Sequence, residues 1–306
     1  MNSAAILLVL LSAVVHTTWS VIAKRAPKTA AFYCITIFLG LLMYAPVCVP
    51  HVAANRGLLA AWPWFGTSGL FLGVYYVLMY RTYRKADISL AYPLLRVSPI
   101  FSTAWAIAFL REEVTALALC GILATVLGCM MLPLRSLRLG RAGVSFRHYA
   151  NPVYAMAFAA ALATSVYIVV DKHAMTAFNP AGGARTAIDY VWLEMAVCCI
   201  VLLVFAVRDA LSSAGGREAE GGALRPLRTA LGPILLIAPM LLGAYVLVVA
   251  ALAIPGSRAA YVGAFRLVSV VLTVVAGVVI LKERFGTVRI AAALVIFAGL
   301  VMIGIG

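Results

Sequence analysis

The chain of 306 residues and 32.5 kDa is 65% apolar and 11% charged, with a mean hydropathy of +1.06. Soluble domains run near half apolar and about a quarter charged, and a sphere of this size has too little interior to hide so much apolar surface, so lipid must be the solvent for most of it. The net charge of +14 would suggest nucleic acid on a soluble protein; in a membrane chain it asks instead which side of the bilayer holds the basic loops, and no nucleic-acid partner is implied.

A bilayer core of roughly 30 Å takes about 20 residues of apolar helix. By that measure the sequence predicts ten spans, at 3–23, 29–49, 63–80, 88–110, 114–134, 152–171, 186–207, 230–250, 259–281 and 285–305. The first is followed by Lys24 and Arg25 and has no basic stretch before it, the reverse of a secretory signal, so it is expected to remain in the mature protein. Trp62 and Trp64 before the third span, and Tyr80 and Tyr83 after it, sit where aromatic belts meet headgroups. All six cysteines fall inside predicted spans without metal-ligand spacing, so neither a metal nor another cofactor is expected. The longer connectors are a basic one with Arg135, Arg138, Arg141 and Arg147, and one from Arg208 to Arg228 containing the Gly/Ser/Glu-rich stretch Ser212 to Gly222.

The chain resembles itself. Gly73-Val74-Tyr75, Ala91-Tyr92 and Arg96 are answered by Gly243-Ala244-Tyr245, Ala260-Tyr261 and Arg266, and Leu110-Arg111-Glu112-Glu113 by Leu281-Lys282-Glu283-Arg284. Trp19 and Lys24 align with Tyr167 and Lys172. The matches run through all five spans of each half in one order. Five is odd, so the second half must enter the membrane from the opposite side. The predicted fold is therefore an all-α polytopic membrane protein of ten transmembrane helices in two inverted five-helix repeats, 1–134 and 152–306, joined by a basic linker at 135–151. Inverted halves related by an axis in the membrane plane are the frame on which many secondary transporters alternate between two open faces.

The most specific stretch is Ala260-Tyr261-Val262 to Arg266-x-x-Ser269, then Leu281 to Gly286, Arg289 and a last span containing Gly299. On these residues the chain resembles the drug/metabolite transporter superfamily and its ten-span EamA-type family. The opening His16-x-x-Trp19-Ser20-x-x-x-Lys24-Arg25 and Ser89-Leu90-Ala91-Tyr92-Pro93-Leu94-x-Arg96 resemble a subgroup of permeases associated with phosphonate utilisation, although that subgroup commonly has Asn where this chain has Ser20. The resemblance covers essentially the whole chain. It implies a secondary carrier in the cytoplasmic membrane, with a central cavity walled by spans 1, 3, 4, 6, 8 and 9, for small metabolites, amino acids or drugs.

Ionisable side chains inside a span cost several kcal/mol, roughly 2.5 to 3.5 on insertion scales, unless paired or facing water. Arg96, Arg266 and Glu194 are the ones that stand out; Arg289, nearer a helix end, can snorkel. Arg96 and Arg266 occupy matching repeat positions, and two permanently charged planar forks around one cavity suit a carboxylate or phosphonate. The alternative is that each bonds backbone carbonyls and ties helices together. Pro93 and Pro99 bracket Arg96 and free carbonyls one turn earlier. His16 and Trp19 share a helix face, and with Tyr92, Tyr167 and Tyr261 they are candidates for an aromatic wall around a polar solute, interhelical packing being the other reading. Glu194, with Ile37 at its repeat position, and His16 are the candidates for proton coupling.

Of the 24 cations, 16 fall on odd-numbered connectors, 5 on even-numbered ones and 3 inside spans. Positive-inside then places the odd connectors in the cytoplasm and both termini outside, whereas the family resemblance implies termini in the cytoplasm. The function expected is secondary transport of a small polar solute, anionic or zwitterionic, by alternating access, with substrate and membrane lipids as partners. The alternatives are a broad-specificity exporter without an anion site, a lipid-modifying enzyme embedded in the membrane, for which no acid/base constellation or metal motif is found, and a sensor. The phosphate-binding loop of ATP-driven pumps is absent from the sequence.

Overall fold

The computed structural model describes residues 2–23, 26–85, 94–132, 152–214, 231–279 and 287–306. The first half contributes α1 (Ser3–Ile22), α2 (Ala30–Ala54), α3 (Trp62–Lys85), α4 (Ser98–Leu110) and α5 (Ala116–Met131). The second contributes α6 (Pro152–Phe178), α7 (Ala184–Ala214), α8 (Leu231–Ala253), α9 (Ala259–Phe265), α10 (Val268–Val279) and α11 (Thr287–Ile305). Short polar caps start several of them: the side chains of Asn2, Thr29 and Thr115 accept the N–H groups of Ala4, Phe32 and Ala118, as caps of helices in lipid must where water is scarce. A 3-10 turn, Arg56–Ala61, links α2 to α3. Lys24, Arg25, Tyr92, the 135–151 linker, residues 215–222 and the Leu281–Gly286 motif lie outside the described residues.

Among the described residues seven helices are long and apolar enough to cross a membrane, and shorter apolar helices stand for the fourth, fifth and ninth spans. Large apolar side chains such as Leu7, Phe109, Leu127 and Leu236 are exposed on their outer faces, the pattern expected of surface meant for lipid. Three expectations need correction. The ninth span is not one helix: it breaks at Arg266–Leu267, between α9 and α10. The sixth runs past residue 171 to Phe178, so Asp171 lies inside a helix and is fully buried. Glu194, singled out from the sequence, is therefore not alone, since Asp171 and Asp189, the latter already inside the predicted seventh span, are buried acids as well; for Asp171, hydropathy ended the span at the first charge, whereas the backbone continues because a hydrogen-bonded helix is cheapest wherever water is excluded.

The packing has two-fold character. Helix α3 lies on α6 as α8 lies on α1, α3 on α7 as α8 on α2, and α4 on α6 as α9 and α10 on α1; α2 meets α7 and α5 meets α11. Exchanging each helix with its counterpart in the other half maps this set onto itself. With five crossings per half, the axis lies in the membrane plane. The α5–α11 crossing is close because glycines face each other: a Cβ at Gly121 would stand 2.6 Å from the Gly299 carbonyl oxygen, and one at Gly299 equally close to that of Gly121. These glycines, together with Gly128 against Ile296 and Ala292, serve contact within the chain.

Candidate functional site

A cavity of about 560 Å³ lies between the halves, walled mainly by α1, α3, α6, α8, α9, α10 and the start of α4, with Phe32 and Tyr33 of α2 and Met195 of α7 also on its lining. Its lining includes repeat-matched pairs: His16 and Thr164, Trp19 and Tyr167, Tyr75 and Tyr245, Arg96 and Arg266. It extends to Lys28 in the α1–α2 connection and Tyr83 near the end of α3, so it runs from the middle of the bundle toward the face that carries the odd-numbered connectors.

Both arginines sit where helix is interrupted. Arg96 occupies a turn two residues before α4, whose first turn contains Pro99. Arg266 caps α9 one residue short of Leu267, and its carbonyl accepts Ser269 Oγ at 2.8 Å. Each arginine thus precedes the first residue of the next helix, α4 or α10, by two positions. The Arg266 guanidinium stands 6.0 Å from the Tyr167 ring centre and 5.9 Å from that of Tyr245, a cation–π seat that holds the charge without cancelling it. Among the described residues no carboxylate forms an ion pair with Arg266, and its Nη1 has no hydrogen-bond acceptor. The Nε1 of Trp19 is likewise a buried donor without an acceptor among them. His16 stacks edge-on against Trp19 with ring centres 4.8 Å apart, within electrostatic reach of both arginines. Orphaned donors beside permanent cations leave a deficit of acceptors, which an anion would fill.

Behind this wall lies a polar cluster that sequence reading had only in part. Ser68 Oγ donates to Asp171 Oδ1 at 2.5 Å and lies 3.0 Å from Glu194 Oε1. Tyr245 Oη donates to Asp171 Oδ2 and lies 3.1 Å from Glu194 Oε1, and Tyr190 Oη donates to Asp171 Oδ1 at 3.1 Å. Both acids are fully buried. Glu194 therefore faces Asp171, not the cavity directly. The signal available in the sequence was the spacing: Tyr167 and Asp171, and Tyr190 and Glu194, each place a tyrosine and an acid four apart on one helix face.

Tyr261 does not line the cavity. It is buried near the opposite face, where its hydroxyl accepts from Arg258 at 3.0 Å and from the Thr115 N–H at 3.3 Å. It sits at the start of α9, more than a turn before Arg266, and so belongs to a seal. In that seal Glu112 accepts the N–H groups of Ala259 and Ala260 at 2.6 and 3.1 Å, and Lys172 donates to the Leu252 carbonyl at 2.9 Å and to Ser257 Oγ at 3.1 Å. Burial pushes the Glu112 carboxyl above its usual range, against the pull of the two N–H donors, Lys172 and Arg258. Arg111 adopts φ 52° at the end of α4, turning the chain so that Glu112 meets α9. Two further acids hold helix ends: Asp189 is engaged by His51 and, at 3.4 Å, by Arg185, and Asp209 accepts from Tyr80 at 2.8 Å. All six cysteines are free thiols, and no cluster of three or more metal-ligating side chains occurs among the described residues.

The sequence matches the EamA-like transporter family model over residues 3–133 and 151–305. No curated protein matches the chain. A solved structure described as "Crystal structure of protein" is similar in fold, with a TM-score of 0.69 at 17% identity over 100% of this chain and 99% of the other. A cavity between two repeated halves, and a family match to each half in turn, lead to one conclusion: the chain belongs to the EamA-like transporter family and is a multi-pass membrane protein of the drug/metabolite transporter type.

Proposed function

We propose that this carrier moves a small anionic or zwitterionic metabolite, such as an acidic amino acid or a phosphonate, across the cytoplasmic membrane by alternating access. The observation that carries the reading is the cation–π-seated Arg266, whose Nη1 has no acceptor among the described residues, facing the same cavity as its repeat partner Arg96. A planar fork with an unused N–H favours carboxylate and phosphonate oxygens over neutral solutes. His16, Trp19 and Tyr167 supply the surrounding wall and Trp19 one more donor.

The moving parts in this reading are the halves 1–134 and 152–306, with 135–151 between them. The cavity reaches one face while Glu112, Tyr261 and Lys172 close the other, so the structure has the form of one end state of a two-state carrier. Counterflow in proteoliposomes, with radiolabelled L-glutamate and 2-aminoethylphosphonate as probes and a neutral amino acid for comparison, tests the proposal. Uptake of an anionic probe that is lost in Arg96→Ala and Arg266→Ala is the expected result; movement of none of the anions, or undiminished movement in both variants, refutes it.

A further inference from the structure

We infer that Asp171 and Glu194 together form a single proton-binding site, in which one exchangeable proton serves two carboxyl groups. The cluster holds fewer hydrogens than an ionised pair of acids would need. Five oxygen contacts of hydrogen-bonding length tie the two acids to Ser68, Tyr190 and Tyr245, and those three hydroxyls bring three protons. Three of the contacts end on Asp171, and they absorb all three protons. The remaining two, from Ser68 Oγ and Tyr245 Oη, both end on Glu194 Oε1. An ionised Glu194 would present that oxygen to two hydroxyl oxygens with nothing left to donate, inside a fully buried site. A proton on Glu194 Oε1 gives four hydrogens for the five contacts, so that oxygen keeps one unfilled contact where the ionised pair would leave two. Two ionised carboxylates sharing one pair of hydroxyl bridges would also repel each other where little water screens them, as carboxylate pairs that hold one proton avoid doing.

A second observation marks the pair as a place for exchange as well as structure. Glu194 Oε2 is buried and has no hydrogen-bond partner among the described residues, so the carboxyl is held on one oxygen alone. The groups that face the pair come from every packed element: Ser68 on α3, Tyr190 and Cys198 on α7, Tyr245 on α8, and Arg266 at the end of α9. Lys172, next to Asp171 in the chain, is engaged instead with the Leu252 carbonyl and Ser257. Tyr245 is the connection to the cavity: it lines that wall, touches both acids with its hydroxyl, and lies under the Arg266 guanidinium with its ring. When the Glu194 O–H bond breaks and the proton passes to cavity water, the pair goes from one negative charge to two beside Arg266. The second charge competes with a solute anion for that arginine, so by linkage the anion and the proton favour each other's binding. This role rests on the carrier reading above, but the proton itself does not depend on any solute.

Infrared spectra of the purified full-length protein in nanodiscs test the site with no solute present. The wild type is expected to show the carbonyl stretch of a protonated carboxylic acid, displaced on transfer to deuterated water and missing from Glu194→Gln. In Tyr245→Phe and Ser68→Ala, which remove hydrogen-bond partners and leave the carboxyl in place, the band is expected to move. A spectrum unchanged by Glu194→Gln, a band insensitive to deuterium, or a band at the same position in both Tyr245→Phe and Ser68→Ala overturns the inference. Should Glu194→Gln fail to fold, the other two variants decide the matter. Failure of the anion site would appear in counterflow and leave these spectra unaffected.

Discussion

Removal of the Glu112 carboxylate should unlock the closed face. Its two oxygens take the N–H groups of Ala259 and Ala260 at 2.6 and 3.1 Å, and these belong to the first turn of α9, which is seven residues long and has no side-chain cap of its own. Loss of a side chain that bonds helix-start N–H groups costs roughly 0.5–2 kcal/mol. Glu112 is half-buried, so water recovers part of the loss, and about 1 kcal/mol is the reasonable figure for Glu112→Ala. That corresponds to about a fivefold shift in population away from the sealed state; Glu112→Gln, which retains one acceptor, should shift it less. Spin labels at Glu113→Cys and Pro255→Cys, both exposed positions flanking the contact, in a background with the exposed Cys120 replaced by Ser, report the separation by double electron–electron resonance. A longer-distance population that grows about fivefold in Glu112→Ala is the expected result. Identical distance distributions in wild type and variant would refute the role of Glu112 as a latch.

Three further outcomes follow from the same structure. Gly121→Val places a Cβ 2.6 Å from a backbone oxygen of α11, which no rotamer can relieve, and should cost at least about 1–3 kcal/mol, seen as a lowered thermal unfolding midpoint, whereas Gly232→Ala, with nothing within 4 Å, should leave it unchanged. Trp19→Phe removes a donor that has no acceptor among the described residues and should therefore leave stability intact while weakening the anionic probe roughly tenfold or more, the worth of a hydrogen bond to a charged group at about 1.5–3 kcal/mol; binding measured by calorimetry beside the unfolding midpoint separates the two effects. The charge bias of the connectors predicts that a cysteine introduced by Arg138→Cys is protected from an impermeant thiol reagent in intact cells, and labelling there would put the termini in the cytoplasm.

Much of the architecture was legible because lipid imposes a simple code. Runs of about twenty apolar residues must be helices, and an odd number of them per repeat forces inversion, so the exchange of α3 on α6 for α8 on α1 is implicit in the alignment of Tyr75 with Tyr245 and Arg96 with Arg266. The cavity wall of His16, Trp19, Tyr167 and the two arginines was legible for the same reason: polar groups at that depth must face one another or water. Less accessible was anything that depends on where a helix ends or breaks. Asp171 was hidden because hydropathy stops at a charge even when three hydroxyl donors satisfy it. Tyr261 was misplaced because it lies five residues before Arg266 on α9, about 7.5 Å along the helix and on another face of it, which puts it at the start of α9 beside Thr115 and Arg258 in the seal. Repeat alignment carries residue pairs across the axis, but it does not say which member faces the open side in a given state; that is a property of conformation.

The central claim is that two symmetry-matched arginines in one cavity select an anionic solute. Counterflow of radiolabelled L-glutamate and 2-aminoethylphosphonate into proteoliposomes tests it most directly, with Arg96→Ala, Arg266→Ala and the double variant checked for monodispersity and an unaltered unfolding midpoint. The account predicts anion counterflow in the wild type that each single substitution reduces at least tenfold and the double substitution abolishes. Full anion counterflow by a folded double variant would contradict it.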